Sequence, residues 1–366
     1  MSADRSTGAQ RLRYADAAKG LGMLMIMWGH LSPLYDPVSA WCAAPKIAVF
    51  YLISGMLLGR KAERQEMTGT RADLVQHAKK RLRTLGIPYL VYSVLILLFH
   101  AATGLLRHRN PAAVAGTELW ETVTLRGIST LWFLPTLFFA ELIWIGLLCG
   151  RRKHQLIFLA GIPFLCWGMA ALHAAGNGLP FWADAPFLTI AKSISAAWFV
   201  AAGAGANRLL RHSVPRVHAV CGLLAAAVLS VLLPVLNAGV DFNYLQLGRI
   251  PLLYFLNGLL SGMLMIVLLR LAEQKFRMKL LCLIGRNSLF IMATHLPFGF
   301  CKILNAAADA VKPCPAFSGG FLLRIAVLLC LLLAAEALLI AGMHRLRRAA
   351  EKRPQHIWTS LLRYLS

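Results

Sequence analysis

Residues 16–30 read DAAKGLGMLMIMWGH. Small and apolar side chains follow one another, with Asp16 and Lys19 at the start and His30 at the end. The stretch has the character of a membrane-spanning helix. Eleven positions separate Lys19 from His30, and at 100° per residue they return to within roughly 20° of one face, about 16 Å apart along the axis. Asp16 lies one turn before Lys19, in reach of an ion pair. A helix continuing to residue 36 would set His30 about halfway through a hydrocarbon core roughly 30 Å thick. A titratable ring at that depth costs free energy unless it faces a cavity or a partner, so it is read first as functional. The plainer reading is a histidine that hydrogen-bonds a neighbouring helix.

The whole chain has the same character. It has 366 residues, 58% hydrophobic and only 14% charged, with a mean hydropathy of +0.63. This composition excludes an ordinary soluble domain and implies an all-α, polytopic integral membrane protein. Ten apolar runs lie near 19–36, 42–59, 86–106, 130–150, 155–175, 187–207, 217–236, 249–270, 281–303 and 321–343, each about the 20 residues a span requires. The net charge of +23 sits in short loops, so anionic lipid and the positive-inside rule account for it without nucleic acid.

The loop cations alternate. Arg5, Arg11 and Arg13 precede the first run, and Arg60 to Arg83, Arg151 to Lys153, Arg208 to Arg216, Arg270 to Lys279 and Arg345 to Arg353 fall in every second loop. About ten spans with both termini in the cytoplasm fit this pattern, with Arg107, Arg109 and Arg126 as exceptions. The organisation expected is an N-terminal arm at 1–18, one transmembrane domain at 19–343 and a basic tail at 344–366. VSA at 38–40 imitates a signal-peptide cleavage site, but Asp16 and His30 argue that the first run is mature structure. Cys149, Cys166, Cys221, Cys282 and Cys330 read as small buried hydrophobes. Cys42, Cys301 and Cys314 leave one disulfide open. No Cys and His spacing suggests a metal, and no inverted repeat is evident.

Other polar residues interrupt the runs. LWFLPTLFFAEL at 131–142 sets Trp132 beside a proline and Glu141 in mid-span, where a carboxylate must be paired or protonated. IGRNSLFIMATHLPF at 284–298 carries Arg286, Asn287 and Ser288, with His295 on nearly the face of Ser288. Lys192, Arg249, Arg324 and Glu336 are further charges in or near spans. Ser54 and Gly55, in FYLISGMLLG at 50–59, are expected to serve close helix approach.

RLRYADAAKGLGMLMIMWGH, VFYLISGMLLG, STLWFLPTLFF and IGRNSLFIMATHLPF, in that order, resemble the acyltransferase 3 family of integral membrane acyltransferases, most closely its fucose 4-O-acetylase-like branch. The resemblance covers nearly the whole chain. It implies ten spans, and a motif of Arg, ten residues, then His, whose spacing Lys19 and His30 match with Lys in the first place. It also implies transfer of an acyl group, usually acetyl from cytoplasmic acetyl-CoA, to a hydroxyl of a cell-envelope glycan or lipid-linked sugar at the inner membrane, with no metal. His30 then aligns with the family's essential histidine, assisted by Lys19 and Asp16. Arg13, Lys79, Lys80, Arg81 and Arg83 are candidates for the phosphates of an acyl-CoA. Trp132, Glu141, Arg286, Asn287, Ser288 and His295 are candidates for orienting substrate. The rival reading is a transporter or flippase of a glycolipid or small metabolite, which buried charges in many spans also permit.

Overall fold

The structure, a computed structural model, describes residues 12–32, 36–106, 110–175, 179–209, 216–311 and 319–351. Arg5, Arg11, Arg107, Arg109, Arg211, Cys314, Lys352 and Arg353 lie outside the described residues. The elements, in order, are α1 (Arg13–Leu31), α2 (Pro37–Cys42), α3 (Pro45–Glu63), α4 (Arg71–Arg81), α5 (Ile87–Leu106) and α6 (Pro111–Val123). Then come α7 (Phe133–Leu148), α8 (Arg152–Ala175), α9 (Phe181–Leu209), α10 (Arg216–Leu236), a two-stranded antiparallel hairpin β1 (Val240–Asp241) and β2 (Gln246–Leu247), and α11 (Pro251–Ala272). The chain finishes with α12 (Lys279–Arg286), α13 (Ser288–Thr294), α14 (Phe300–Val311) and α15 (Gly319–Glu351). This is an all-α polytopic membrane protein. Among the described residues, eight helices are long and apolar enough to cross a membrane, and they cover eight of the ten predicted runs.

The first and ninth runs depart from the prediction. α1 starts at Arg13 and stops at Leu31, so His30 sits at the far end of its helix rather than halfway along. Its depth comes from the elements that fold over that end. The ninth run is three helices instead of one span. Asn287, with φ −99° and ψ 14°, parts α12 from α13, and Pro297 together with Gly299 at φ +80° turns the chain before α14. A left-handed glycine ends a helix and a proline removes one of its backbone hydrogen bonds, whereas apolar composition alone registers neither. The predicted loop at 60–85 is also mostly helical: α4 runs through a π-helical turn, Leu82–Gly86, into α5.

The bundle is apolar inside and out, as expected of a protein whose solvent is lipid. α3 is buried along nearly its full length, and α9 packs on it through Val200, Gly203 and Ala204. Gly55 allows this, because a Cβ there would stand 1.9 Å from the Val200 carbonyl oxygen. On the outside, α8 exposes Leu156, Ile157 and Phe164, and α10 exposes Val217, Leu224 and Val228. Cys149, Cys221 and Cys330 are exposed on this outer surface, contrary to expectation, while Cys166 and Cys282 are buried. Burial in lipid selects the same small apolar residue as burial in protein, so composition does not separate the two. Cys42 and Cys301 are buried free thiols, and among the described residues no disulfide forms.

The helix ends sort by charge. Arg13 Nη2 donates to the Arg277 carbonyl at 2.6 Å, the Tyr14 amide donates to Glu273 at 2.9 Å, and Asn207 Nδ2 donates to Glu63 at 2.8 Å. The start of α1 and the ends of α3, α9 and α11 thus meet at one basic end. By chain direction, α2, the hairpin and the 3₁₀ turn Ser129–Trp132 gather at the other. At the basic end α12 lies directly on α1. A Cβ on Gly285 would stand 1.8 Å from the Asp16 carbonyl oxygen, and one on Gly20 would stand 2.1 Å from that of Leu281. Gly285→Ala is therefore expected to force α12 off α1 at a cost of about 1–3 kcal/mol, read as a lower unfolding midpoint of the detergent-solubilised protein. Gly161→Ala, with no heavy atom within 4 Å of the added methyl, is expected to leave the midpoint unchanged or raise it.

Candidate active site

A cavity of about 820 Å³ runs between α1, α3, α7, α13 and the hairpin. Its wall is polar at both ends and apolar between them. Lys19, Arg81, Thr84 and Ser288 line it toward the basic end. Met23, Ile26, Phe50, Leu134 and Met292 line the middle, and His30, Ser32, Ser39, Lys46, Asp241 and Asn243 the opposite end. Lys19 and His30 share one wall because the helical period returns them to one face. The His30 side chain is exposed, and the surface it presents belongs to the cavity wall.

Two groups stand next to His30, and two more line the same end of the cavity. The ring of His295 lies 5.3 Å away, centroid to centroid, tilted by 44°. Lys46 Nζ lies 3.3 Å from the position a Cβ on Gly29 would take, and Asp241 reaches the same cavity end from the hairpin. Ser39 also lines this end. It is held by Asp36, which accepts from Ser39 Oγ at 2.6 Å and from the Val38 and Ser39 amides at 2.8 and 3.0 Å, capping α2. Burial opposes ionisation of Asp36, but hydrogen bonds from Ser32, Ser39 and Val38 outweigh it and hold the carboxyl below its usual range.

The hairpin is tied down from beneath. Asn243 Oδ1 accepts from Arg126 Nη1 at 2.5 Å and from Lys192 Nζ at 3.1 Å. Lys192, fully buried, also lies 4.6 Å over the ring of Trp132, and Arg126 lies 5.2 Å over that of Tyr244. Two cations that looked misplaced, one in a span and one in a loop outside the alternating pattern, are thus anchors of the strap over the cavity. Cation–π contacts of desolvated groups contribute up to about 2 kcal/mol each.

Glu141 is fully buried and paired. It accepts from Ser54 Oγ, from His77 Nε2 at 2.7 Å, and from Arg81 through both Nε and Nη2. One carboxylate on α7 therefore fixes α3 and α4, and it holds Arg81 against the cavity. Ser54, expected to serve close approach, instead donates to this group; of the two, Gly55 provides the approach.

The remaining predicted residues separate into two groups. Trp132 and Ser288 line the cavity. Asp16 accepts from Arg286 Nε at 3.2 Å, a partner on α12. Asn287 Nδ2 donates to the Leu283 carbonyl at 2.9 Å and serves the helix break. Arg13 and Arg83 are exposed and off the cavity wall. Of the further charges, Glu336 accepts from Thr294 at 2.8 Å, Arg324 pairs with Asp309 at 2.7 Å, and Arg249 is exposed. Lys46 and Asp241 were not singled out from the sequence. A lone lysine inside the second apolar run was the available signal for Lys46; Asp241, on a loop, offered none. Among the described residues no cluster of His, Cys, Asp and Glu could hold a metal ion.

Fold and cavity together define a multi-pass membrane protein with an interior cavity that is polar at both ends. A family model described as an acyltransferase domain matches residues 12–335. The chain belongs to the acyltransferase 3 family and is a membrane acyltransferase; the transporter reading finds no support. No match is found among the curated proteins or among the solved structures.

Removing the charge of Glu141 tests the architecture of the site. Glu141→Gln leaves the Arg81 guanidinium without its counter-ion, and breaking such a pair is expected to cost about 3 kcal/mol, the low end for buried pairs, since Arg81 is 26% exposed. Ser54→Ala, which removes one hydrogen bond, is expected to cost about 1 kcal/mol. Denaturant unfolding in detergent measures both.

Proposed function

We propose that the protein is an O-acyltransferase that moves an acyl group, in the first instance acetyl, from acyl-CoA to a hydroxyl of a cell-envelope glycan or lipid-linked sugar. Lys19 and His30 on one wall of a single cavity support this reading most strongly. On this reading the basic end faces the cytoplasm of a bacterial inner membrane, as the positive-inside rule favours. The phosphates of the donor stay there, near Lys19 and Arg81. The thiol arm follows the apolar middle of the cavity over the about 16 Å to His30. The acceptor arrives from the hairpin end.

The chemistry follows from the residues around His30. The imidazole removes the proton of the acceptor hydroxyl as its oxygen attacks the thioester carbonyl. The tetrahedral oxyanion lies within the field of Lys46. Collapse breaks the carbon–sulfur bond, and the thiolate takes the proton from His30. Attack by His30 itself, giving an acyl-histidine that the acceptor then relieves, uses the same residues.

His30→Ala is expected to lower turnover by about 10²–10⁴-fold, the contribution of a general base, with the protein still folded. The assay follows free thiol release and label transfer from acetyl-CoA by purified protein, and mass spectrometry compares acylated envelope glycans with and without the gene. Full turnover in the variant would refute the role. Lys19→Glu is expected to raise the donor KM with a smaller effect on kcat; an unchanged KM would put the donor elsewhere.

A further inference from the structure

We propose that His295 is the positioning residue of His30: its Nε2 accepts the N–H of the His30 ring and leaves the other His30 nitrogen as the base. The proposal rests on the preceding reading only for the word base; the pairing itself stands on geometry. His295 is fully buried. Its Nδ1 lies 2.6 Å from the Ile291 carbonyl oxygen, one turn back on its own helix. A carbonyl only accepts, so Nδ1 carries the proton, and Nε2 of the neutral ring is a bare lone pair.

That lone pair has no hydrogen-bond partner among the described residues. A buried acceptor left unpaired costs about 1–3 kcal/mol, so a sequence that keeps one there calls for an account. The ring of His30, 5.3 Å away, supplies one. Two imidazoles joined by a single N–H···N bond of ordinary length have centroids about 5 Å apart. A small rotation of the His30 ring, which has cavity space beside it, makes the bond.

The acceptor is also rigidly held. Thr130 Oγ1 donates to the Met292 carbonyl at 2.6 Å, and Thr294 Oγ1 donates to Glu336 at 2.8 Å. His100 Nε2 lies 2.8 Å from the Pro297 carbonyl oxygen, and Cys301 Sγ donates to that of His295 at 3.4 Å. The break of the ninth run thereby gains a purpose. A straight helix would carry His295 past α1, whereas the short α13 ends where its last turn meets His30. A partner that fixes the tautomer and orientation of a working histidine is a recurring device.

Two substitutions separate positioning from packing. His295→Gln places an amide oxygen near the position of Nε2, while His295→Phe fills the ring volume without an acceptor. Positioning predicts that the Phe variant loses roughly 10–100-fold in kcat, with donor KM unchanged, and that the Gln variant recovers most of the loss. Packing alone predicts the reverse order, Phe tolerated and Gln not, and that result would overturn the proposal. A second measurement does not depend on acyl transfer. Carbethoxylation of His30 by diethyl pyrocarbonate, followed by peptide mass, is expected to slow severalfold in the Phe variant and to stay near the wild-type rate in the Gln variant. Equal rates in all three proteins would sink the pairing. If labelling changes as expected while no variant or wild type transfers an acyl group, the pairing stands and the proposed function fails.

Discussion

A polar side chain on a helix surrounded by hydrocarbon has one inexpensive place to go, the interior of the bundle. This constraint arranges most of what is distinctive in the molecule. Lys19, His30, Lys46 and Ser54 come from helices that are otherwise apolar, and all four line one cavity, joined there by Arg81 of the polar helix α4. The outward faces of α8 and α10 carry aliphatic and aromatic residues. The site is thus the part of the interior that the apolar residues do not fill.

Within that interior the interactions differ in weight. The Asp16–Arg286 pair is half exposed on the arginine side and contributes little, as screened pairs do. The Glu141 cluster is another matter, since a fully buried carboxylate with three partner side chains cannot lose one without leaving charge uncompensated. It joins α3, α4 and α7, and one of its partners is a cavity residue. The basic mouth and the packing of the bundle are therefore the same structure. At the other end the hairpin is fixed by Arg126 and Lys192 through a single amide oxygen, with Trp132 and Tyr244 as aromatic platforms.

The cavity joins two ends of unlike chemistry. One is rich in cations; the other presents an imidazole, a lysine, hydroxyls and a carboxylate on a strap. For the proposed transfer, an anionic donor and a hydroxyl-bearing acceptor then approach from opposite sides and meet only at His30. The break at Asn287 and the turn at Pro297 give up a continuous span and bring Ser288 to the cavity and His295 to His30.

What the sequence determined by itself is what depends on neighbours along the chain. Hydropathy settles the membrane class and eight of the ten runs, because each span satisfies its own backbone hydrogen bonds. The helical period puts Lys19 and His30 on one face, and burial of a carboxylate requires a partner for Glu141 without naming it. Only the tertiary structure decided which partners meet. Arg81 and His77 reach Glu141 from another helix, Lys46 reaches His30 from α3 while Asp241 joins the same cavity end from the hairpin, and His295 arrives from near the far end of the chain. Hydropathy counts apolar residues and passes over a bend, so the broken ninth run read as a straight one. Contacts between distant segments depend on how helices pack, through close approaches such as that of Gly20 and Gly285, and this packing has no local signature strong enough to read in advance.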